Sequence, residues 1–200
     1  GYTMLNAYDN IGVYRVGNSP LTVPTISYDI ENLDLATANG LQDAGGNLSV
    51  AGGIASLSSA TVLTHSIADD FELNLDLATT SPGSQSWFVG HIYLRYLDAD
   101  NHYLLRLEPN GAIKFLKQVD GVSTVIQSVW NTGLQVDAMN HYRVVMRGSS
   151  IQVYVTAPGG SEQLIIDSDV CSQIQTGYVG VFARTSTVAF DNLVVTPLFK

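Results

Sequence analysis

Apolar and polar residues alternate along much of this chain with a period of two. In Phe71-Glu72-Leu73-Asn74-Leu75-Asp76-Leu77 every odd position is apolar and every even one polar. Successive side chains of a strand point to opposite sides, so this pattern predicts a strand with one face in a core and the other exposed. Similar segments predict strands over residues 27–30, 48–51, 54–57, 61–65, 71–77, 86–97, 103–108, 112–119, 122–129, 141–147, 150–156, 162–167, 177–184 and 188–196. Turn-forming clusters separate them, among them Ala44-Gly45-Gly46-Asn47, Ser81-Pro82-Gly83-Ser84 and Pro158-Gly159-Gly160. Asn110-Gly111 and Asp120-Gly121 are hairpin signals, since both residue types tolerate the positive φ that tight hairpin turns require. Thr185-Ser186-Thr187 joins the last two strands.

No window carries sustained helical spacing; residues 33–38 are the one short helix candidate. Many short strands without interleaved helices predict an all-β, antiparallel two-sheet β-sandwich. No long internal repeat is present. Residues 1–24 stand apart, with an irregular pattern broken by Gly17-Asn18-Ser19-Pro20 and Pro24. They read as an N-terminal arm or linker with one possible first strand, able to pack on a neighbouring domain or subunit. Residues 25–200 form the sandwich domain.

Composition adds limits. Hydrophobic residues make up 46% of the 200, enough for one sizeable core, while only 14% are charged. The net charge is −9, from 18 acidic and 9 basic residues. That excess argues against nucleic acid and anionic membranes, which need clustered Lys and Arg. Neutral sugars or cations are the easier partners. The single cysteine, Cys171, excludes an internal disulfide and reads as a small buried apolar residue. No apolar run approaches the ~18 residues of a membrane helix, so membrane insertion is not expected. No signal peptide is recognisable, and a chain opening at Gly1 fits removal of a leader or a preceding domain. Asn47-Leu48-Ser49 is a glycosylation sequon, a triplet that also arises by chance.

The strand over residues 86–97 carries the most suggestive chemistry. Alternation places Phe88, Gly90, Ile92, Leu94 and Tyr96 on one face and Trp87, Val89, His91, Tyr93 and Arg95 on the other. In the next strand Leu104, Arg106 and Glu108 oppose Tyr103, Leu105 and Leu107. A solvated face is ordinarily rich in Ser, Thr, Lys and Glu. A face of aromatic rings and planar hydrogen-bonding groups suits a sugar, whose C–H face stacks on a ring while its hydroxyls meet Arg, His, Glu and Asn. The candidate ligand-binding residues are therefore Trp87, His91, Tyr93, Arg95, Arg106 and Glu108, with Glu72 and Asn74 from the polar face of the strand at residues 71–77. The alternative is an outer face covered by a loop or a neighbouring domain.

Gly177-Tyr178-Val179-Gly180-Val181-Phe182-Ala183-Arg184 and Phe190-Asp191-Asn192-Leu193-Val194-Val195 resemble the closing strands of the concanavalin A-like lectin/glucanase superfamily. The resemblance spans roughly residues 45 to 196 and looks like the laminin G-like and 3-keto-disaccharide-hydrolase-like branches. It takes in Asp70-Phe71-Glu72-Leu73, Leu94-Arg95-Tyr96-Leu97-Asp98, Asn101-His102-Tyr103-Leu104-Leu105-Arg106-Leu107, His141-Tyr142-Arg143-Val144-Val145 and Ile151-Gln152-Val153-Tyr154-Val155. His141-Tyr142 stands where that family usually has Trp. The resemblance implies a jelly roll with a concave and a convex sheet, glycan binding on the concave one, and an extracellular or surface-displayed protein, often an adhesion or binding module. It also implies a structural Ca²⁺ at Asp191, with Asp9 or Asp29 as acidic co-ligands; oxygen ligands suit that ion.

Glycosidases of that superfamily carry Glu-x-Asp-x-Glu on one strand. Here Glu72-Leu73-Asn74-Leu75-Asp76 has Asn at the centre and the shorter Asp at the end. Both departures weaken a paired-carboxyl mechanism, which in its retaining form needs carboxyls about 5 Å apart. His91, Tyr93 and Arg95 supply the residue types of a polysaccharide lyase without its signatures. No His spacing for a metal, no phosphate loop and no nucleophile elbow occurs. A non-catalytic carbohydrate-binding module is the leading expectation. A structural, assembly or receptor-binding component of a virion or filament is the alternative, and a hydrolase or lyase comes third.

Overall fold

A computed structural model describes residues 26–27, 41–43, 45, 47–64, 68–85 and 89–198. These contain fifteen strands and no helix: β1 (Ile26–Ser27), β2 (Leu41–Asp43), β3 (Leu48–Ala51), β4 (Ile54–Ser58), β5 (Thr61–Thr64), β6 (Phe71–Ser81), β7 (Gly90–Asp98), β8 (Asn101–Leu107), β9 (Ile113–Val119), β10 (Val122–Val129), β11 (Asn140–Arg147), β12 (Ser150–Thr156), β13 (Gln163–Ser168), β14 (Tyr178–Ala183) and β15 (Thr187–Pro197). The first sheet has the order β13-β12-β11-β6-β15-β4-β3, with β1 also on β15. The second has the order β10-β9-β8-β7-β14-β5-β2. Every strand pair is antiparallel. The expected two-sheet sandwich is the observed fold.

Its core is the set the alternation marks out. Phe71, Leu73, Leu75 and Leu77 of β6 are buried, as are Ile92 and Leu94 of β7, Tyr103 and Leu105 of β8, Ile113 and Phe115 of β9, and Val179 and Val181 of β14. Asp120-Gly121 forms the expected hairpin turn between β9 and β10, with φ of 50° and 75°. Strand β2 has no counterpart among the expected strands; three residues are too few for a period to show. The helix candidate at 33–38 and the arm at 1–24 lie outside the described residues.

Two departures from simple alternation matter for function. Val89, expected on the outer face, lies in the core beside the start of β7. More consequential is Arg95, whose φ is +47°, where the β7–β8 pairing slips between Leu94 and Asp98 and the β7–β14 pairing between Tyr178 and Gly180. A bulge inserts one residue and exchanges the faces of the residues beyond it. Arg95 turns into the protein and Tyr96 turns out, the reverse of the expected assignment. Gly177 makes the close approach possible: a Cβ there would lie 2.3 Å from the Arg95 carbonyl carbon.

Candidate functional site

The outer face of the second sheet is hollowed, enclosing about 290 Å³. Strand register builds it in rows. Phe182, His91, Arg106 and Lys114 lie side by side on β14, β7, β8 and β9. The next row holds Gly180, Tyr93, Leu104, Leu116 and Val125, and beyond it come His102, Gln118 and Ser123. Gly180 presents no side chain beside Tyr93; a Cβ there would meet the Val62 carbonyl oxygen at 2.4 Å.

Aromatic rings make the floor. Tyr93 stacks on Phe182, with centroids 5.3 Å apart and planes 12° from parallel. Tyr96 lies 4.7 Å from Tyr93 and stacks on His102 at 5.5 Å, while His102 meets Tyr93 edge-on at 4.8 Å. His91 is fully buried, 5.8 Å from Phe182. Burial pushes the Tyr93 phenol up to about 12; Tyr96 adds to this and the Arg184 charge opposes it. Burial lowers the pKa of His102, against the raising effect of its Nδ1 contact with the Asp98 carbonyl at 3.1 Å. His102 is thereby held toward its neutral form.

Polar groups stand at the walls. Arg106 donates from Nε to Glu108 Oε1 at 3.0 Å, and its Nη2 approaches the same oxygen at 2.9 Å. Lys114 Nζ shares that oxygen at 3.0 Å and lies 5.7 Å from the centre of the exposed Trp130 ring. Glu108 therefore fixes two cations. Gln118 donates to the Ala99 carbonyl at 2.7 Å. Arg184 is exposed at the rim, with no side-chain partner among the described residues.

The remaining expected residues go elsewhere. Glu72 and Asn74 lie on the outer face of the first sheet, on the opposite side of the sandwich, within a closed polar network. Asn74 donates to Glu72 at 3.1 Å, and Arg143 forks onto Glu162 at 2.8 and 2.7 Å, 3.7 Å from Glu72. The Arg143 guanidinium also lies 3.7 Å over the Tyr154 ring. Asp76 contacts His141 Nδ1 and accepts from Asn192, both at 2.6 Å. Glu72 and Asp76 thus have separate partners rather than facing each other as an acid–base pair.

Arg95 is fully buried between loops at one end of the sandwich. It donates to the carbonyls of Asp69 (2.7 and 3.0 Å), Gly148 (2.8 Å), Ile174 (3.1 Å) and Cys171 (3.4 Å), and lies 3.6 Å from Asp70. It ties four segments together and offers nothing to a ligand in the hollow. Cys171 is buried as expected, and burial pushes its thiol up to about 12. Trp87, Asp9 and Asp29 lie outside the described residues. Asp191 pairs in register with Asp76, its carboxylate accepting the Asn192 N–H at 2.7 Å. No group of three or more His, Cys, Asp or Glu side chains that could hold a metal occurs among the described residues, and the expected co-ligands Asp9 and Asp29 lie outside them. Among the same residues, no helix is long and apolar enough to cross a membrane.

Phe182, Tyr96, His102, Gln118 and Arg184 are absent from the residues singled out by sequence. Phe182 alternates with the core residues Val181 and Ala183, a signal that puts it outside. Tyr96 had none, because the bulge reverses its face.

No protein-family model matches this chain, and no curated protein matches it. Solved structures do. The carbohydrate-binding module CBM66 from Bacillus subtilis is 21% identical, covering 78% of this chain and 95% of its own, with a TM-score of 0.65. The GH43 protein BlXynB from Bacillus licheniformis, as a K247S mutant, is 16% identical over 92% of this chain but 42% of its own, at 0.64. The VIP36 exoplasmic/lumenal domain, in a form bound to Ca²⁺ and Man3GlcNAc, is 13% identical over 80% of this chain and 84% of its own, at 0.60. At these identities the likeness is one of fold, and that fold is the concanavalin A-like jelly roll.

Proposed function

We propose that this protein is a non-catalytic carbohydrate-binding module that holds a glycan in the hollow of the second sheet. The observation that carries the reading is the Tyr93–Phe182 stack, flanked by Tyr96 and His102, with Arg106 and Arg184 at its edges. Flat apolar rings take the C–H face of a sugar, and planar donors around them meet its hydroxyls. Arg106 is locked by Glu108, so little rotamer entropy is lost on binding. Of the eight residues singled out by sequence, this reading keeps Tyr93 and Arg106 as contacts and Glu108 and His91 as supports. Trp87, outside the described residues, remains a proposed contact. Glu72 and Asn74, on the far side, and buried Arg95 are left out.

The fold likeness to a carbohydrate-binding module and to a sugar-bound lectin domain supports this reading. A secreted or surface-displayed protein fits it. The assembly alternative draws no support from these likenesses. The GH43 likeness covers less than half of that protein, and the separate engagement of Glu72 and Asp76 favours binding over hydrolysis.

Affinity electrophoresis through gels containing a panel of polysaccharides, with Ca²⁺ and with chelator, tests the proposal. Wild type is expected to be retarded by at least one polysaccharide, and folded Phe182→Ala to migrate freely. Free migration of wild type throughout the panel, or retardation unchanged in Phe182→Ala, overturns it. Reducing-sugar release from the same panel, lost in Glu72→Gln, would replace binding with hydrolysis.

A further inference from the structure

The chain carries a net charge of −9, with twice as many acidic as basic residues. The hollow is an exception. Among the described residues its lining includes two arginines and a histidine and no carboxylate. Glu108 is shared by Arg106 and Lys114, so that trio leaves one positive charge in surplus; the other carboxylates close to the lining, Asp98 and Asp100, stand at the His102 end, away from Arg106. Arg184 adds a second. It is exposed, without a side-chain partner among the described residues, and its backbone is held between β14 and the segment before β7 through the N–H contact to the Val89 carbonyl at 3.4 Å.

These two arginines do different things. Arg106 already commits two donors to a carboxylate of its own chain. Arg184 has its planar fork uncommitted among the described residues, and that fork matches the two oxygens of a carboxylate in a bidentate pair. Its charge stands near Tyr93, above an apolar floor that includes Phe182, Leu104 and Leu116. A charge set over low-dielectric walls raises the local concentration of the opposite charge beside it.

We propose that the hollow is built for a glycan bearing a carboxylate, with Arg184 receiving that carboxylate at the rim while Arg106 and Gln118 meet the hydroxyls of the sugar resting on Phe182. This rests on the carbohydrate-binding reading and narrows its ligand from sugars in general to acidic ones, uronates or sialates. It overrides the expectation from net charge alone that a neutral sugar is the easier partner, because recognition depends on the field inside the hollow rather than on the sum over the chain.

Matched pairs of surfaces test it: polygalacturonate against its fully methyl-esterified form, sialylated lactosamine against the desialylated form, and dextran sulfate against dextran. The expected result is retention of wild type on a carboxylated member at least about tenfold stronger than on its uncharged partner. Arg184→Ala is expected to erase that preference and Arg184→Lys to restore it in part, with unchanged unfolding curves. Equal retention on both members, retention on neutral surfaces alone, or preference for sulfate over carboxylate overturns the carboxylate assignment and leaves glycan binding standing. So does a carboxylate preference that survives in Arg184→Ala. No retention on any surface removes both.

Discussion

The two outer faces of this sandwich are made from similar residue types and come out different. On the first sheet Asp76, His141, Asn192, Glu72, Asn74, Arg143 and Glu162 pair with one another, and Tyr154 lies beneath a guanidinium rather than open to a ligand. On the second, the aromatic rings pack partly stacked and partly edge to face beneath a hollow, and one arginine at its rim has no side-chain partner among the described residues. A satisfied network must break its own hydrogen bonds before it can bind; a hollow with spare donors need not. Residue type alone does not make a site. What counts is the hydrogen-bonding capacity left over once the fold has used what it needs.

Arg95 is the extreme of a fully used side chain, and its loss is the largest expected effect. Arg95→Met strands the buried carbonyls of Cys171 and Ile174 and the part-buried ones of Asp69 and Gly148. At about 1–3 kcal/mol for each acceptor left unsatisfied, partly offset by relaxation, a stability loss of about 3–5 kcal/mol is expected in denaturant unfolding. A loss below about 1 kcal/mol would mean that this end of the sandwich does not depend on the guanidinium.

Phe182→Ala comes next and separates binding from folding. It removes half of the stacked floor, so glycan retention is expected to fall by about tenfold or more while the protein still unfolds cooperatively. Retained affinity would move the ligand off the hollow.

His102 gives a smaller effect. Burial holds its folded-state pKa below the ordinary 6.5, so the unfolded chain binds the proton more readily. The stability this gives is complete above about pH 6.5 and is lost as pH falls below that toward the folded-state value. Thermal melts between pH 7.5 and 5 are expected to show a modest decline that His102→Gln flattens; an unchanged slope in that variant would place its cause elsewhere.

The smallest expected effect sharpens the contrast from the other side. Glu72→Gln weakens a half-exposed contact to Arg143 at 3.7 Å, and such pairs contribute about 0–1 kcal/mol. Glycan retention is expected to stay within about twofold of wild type, a difference of about 0.4 kcal/mol. A loss comparable to that of Phe182→Ala would transfer the binding surface to the first sheet.

Much of the fold was legible because a sandwich strand reports its own environment. Residues 71–77 name their core face, and the strands expected at 48–51, 122–129 and 150–156 end where the structure ends them. The site was legible only in part. Tyr93 and Arg106 follow the alternation into the hollow, and Phe182 was available by the same rule. Arg95 and Tyr96 were not, because one residue with positive φ exchanges their faces. Glu72 and Asn74 carry the right chemistry for a sugar but belong to the other sheet, and nothing local to a strand says which sheet it joins.

The sequence by itself determined that this chain folds into stacked antiparallel sheets around a continuous apolar core, since the two-residue period and the turn residues act over distances of a few residues. Tertiary structure decided which outer face is available and which arginine is buried. Those outcomes depend on partners far apart in the chain: Asp76 meets His141 across 65 positions and Asn192 across 116, while Arg95 closes on Ile174 across 79. A local pattern tells a side chain which way to point; only the assembled strands determine what it meets there.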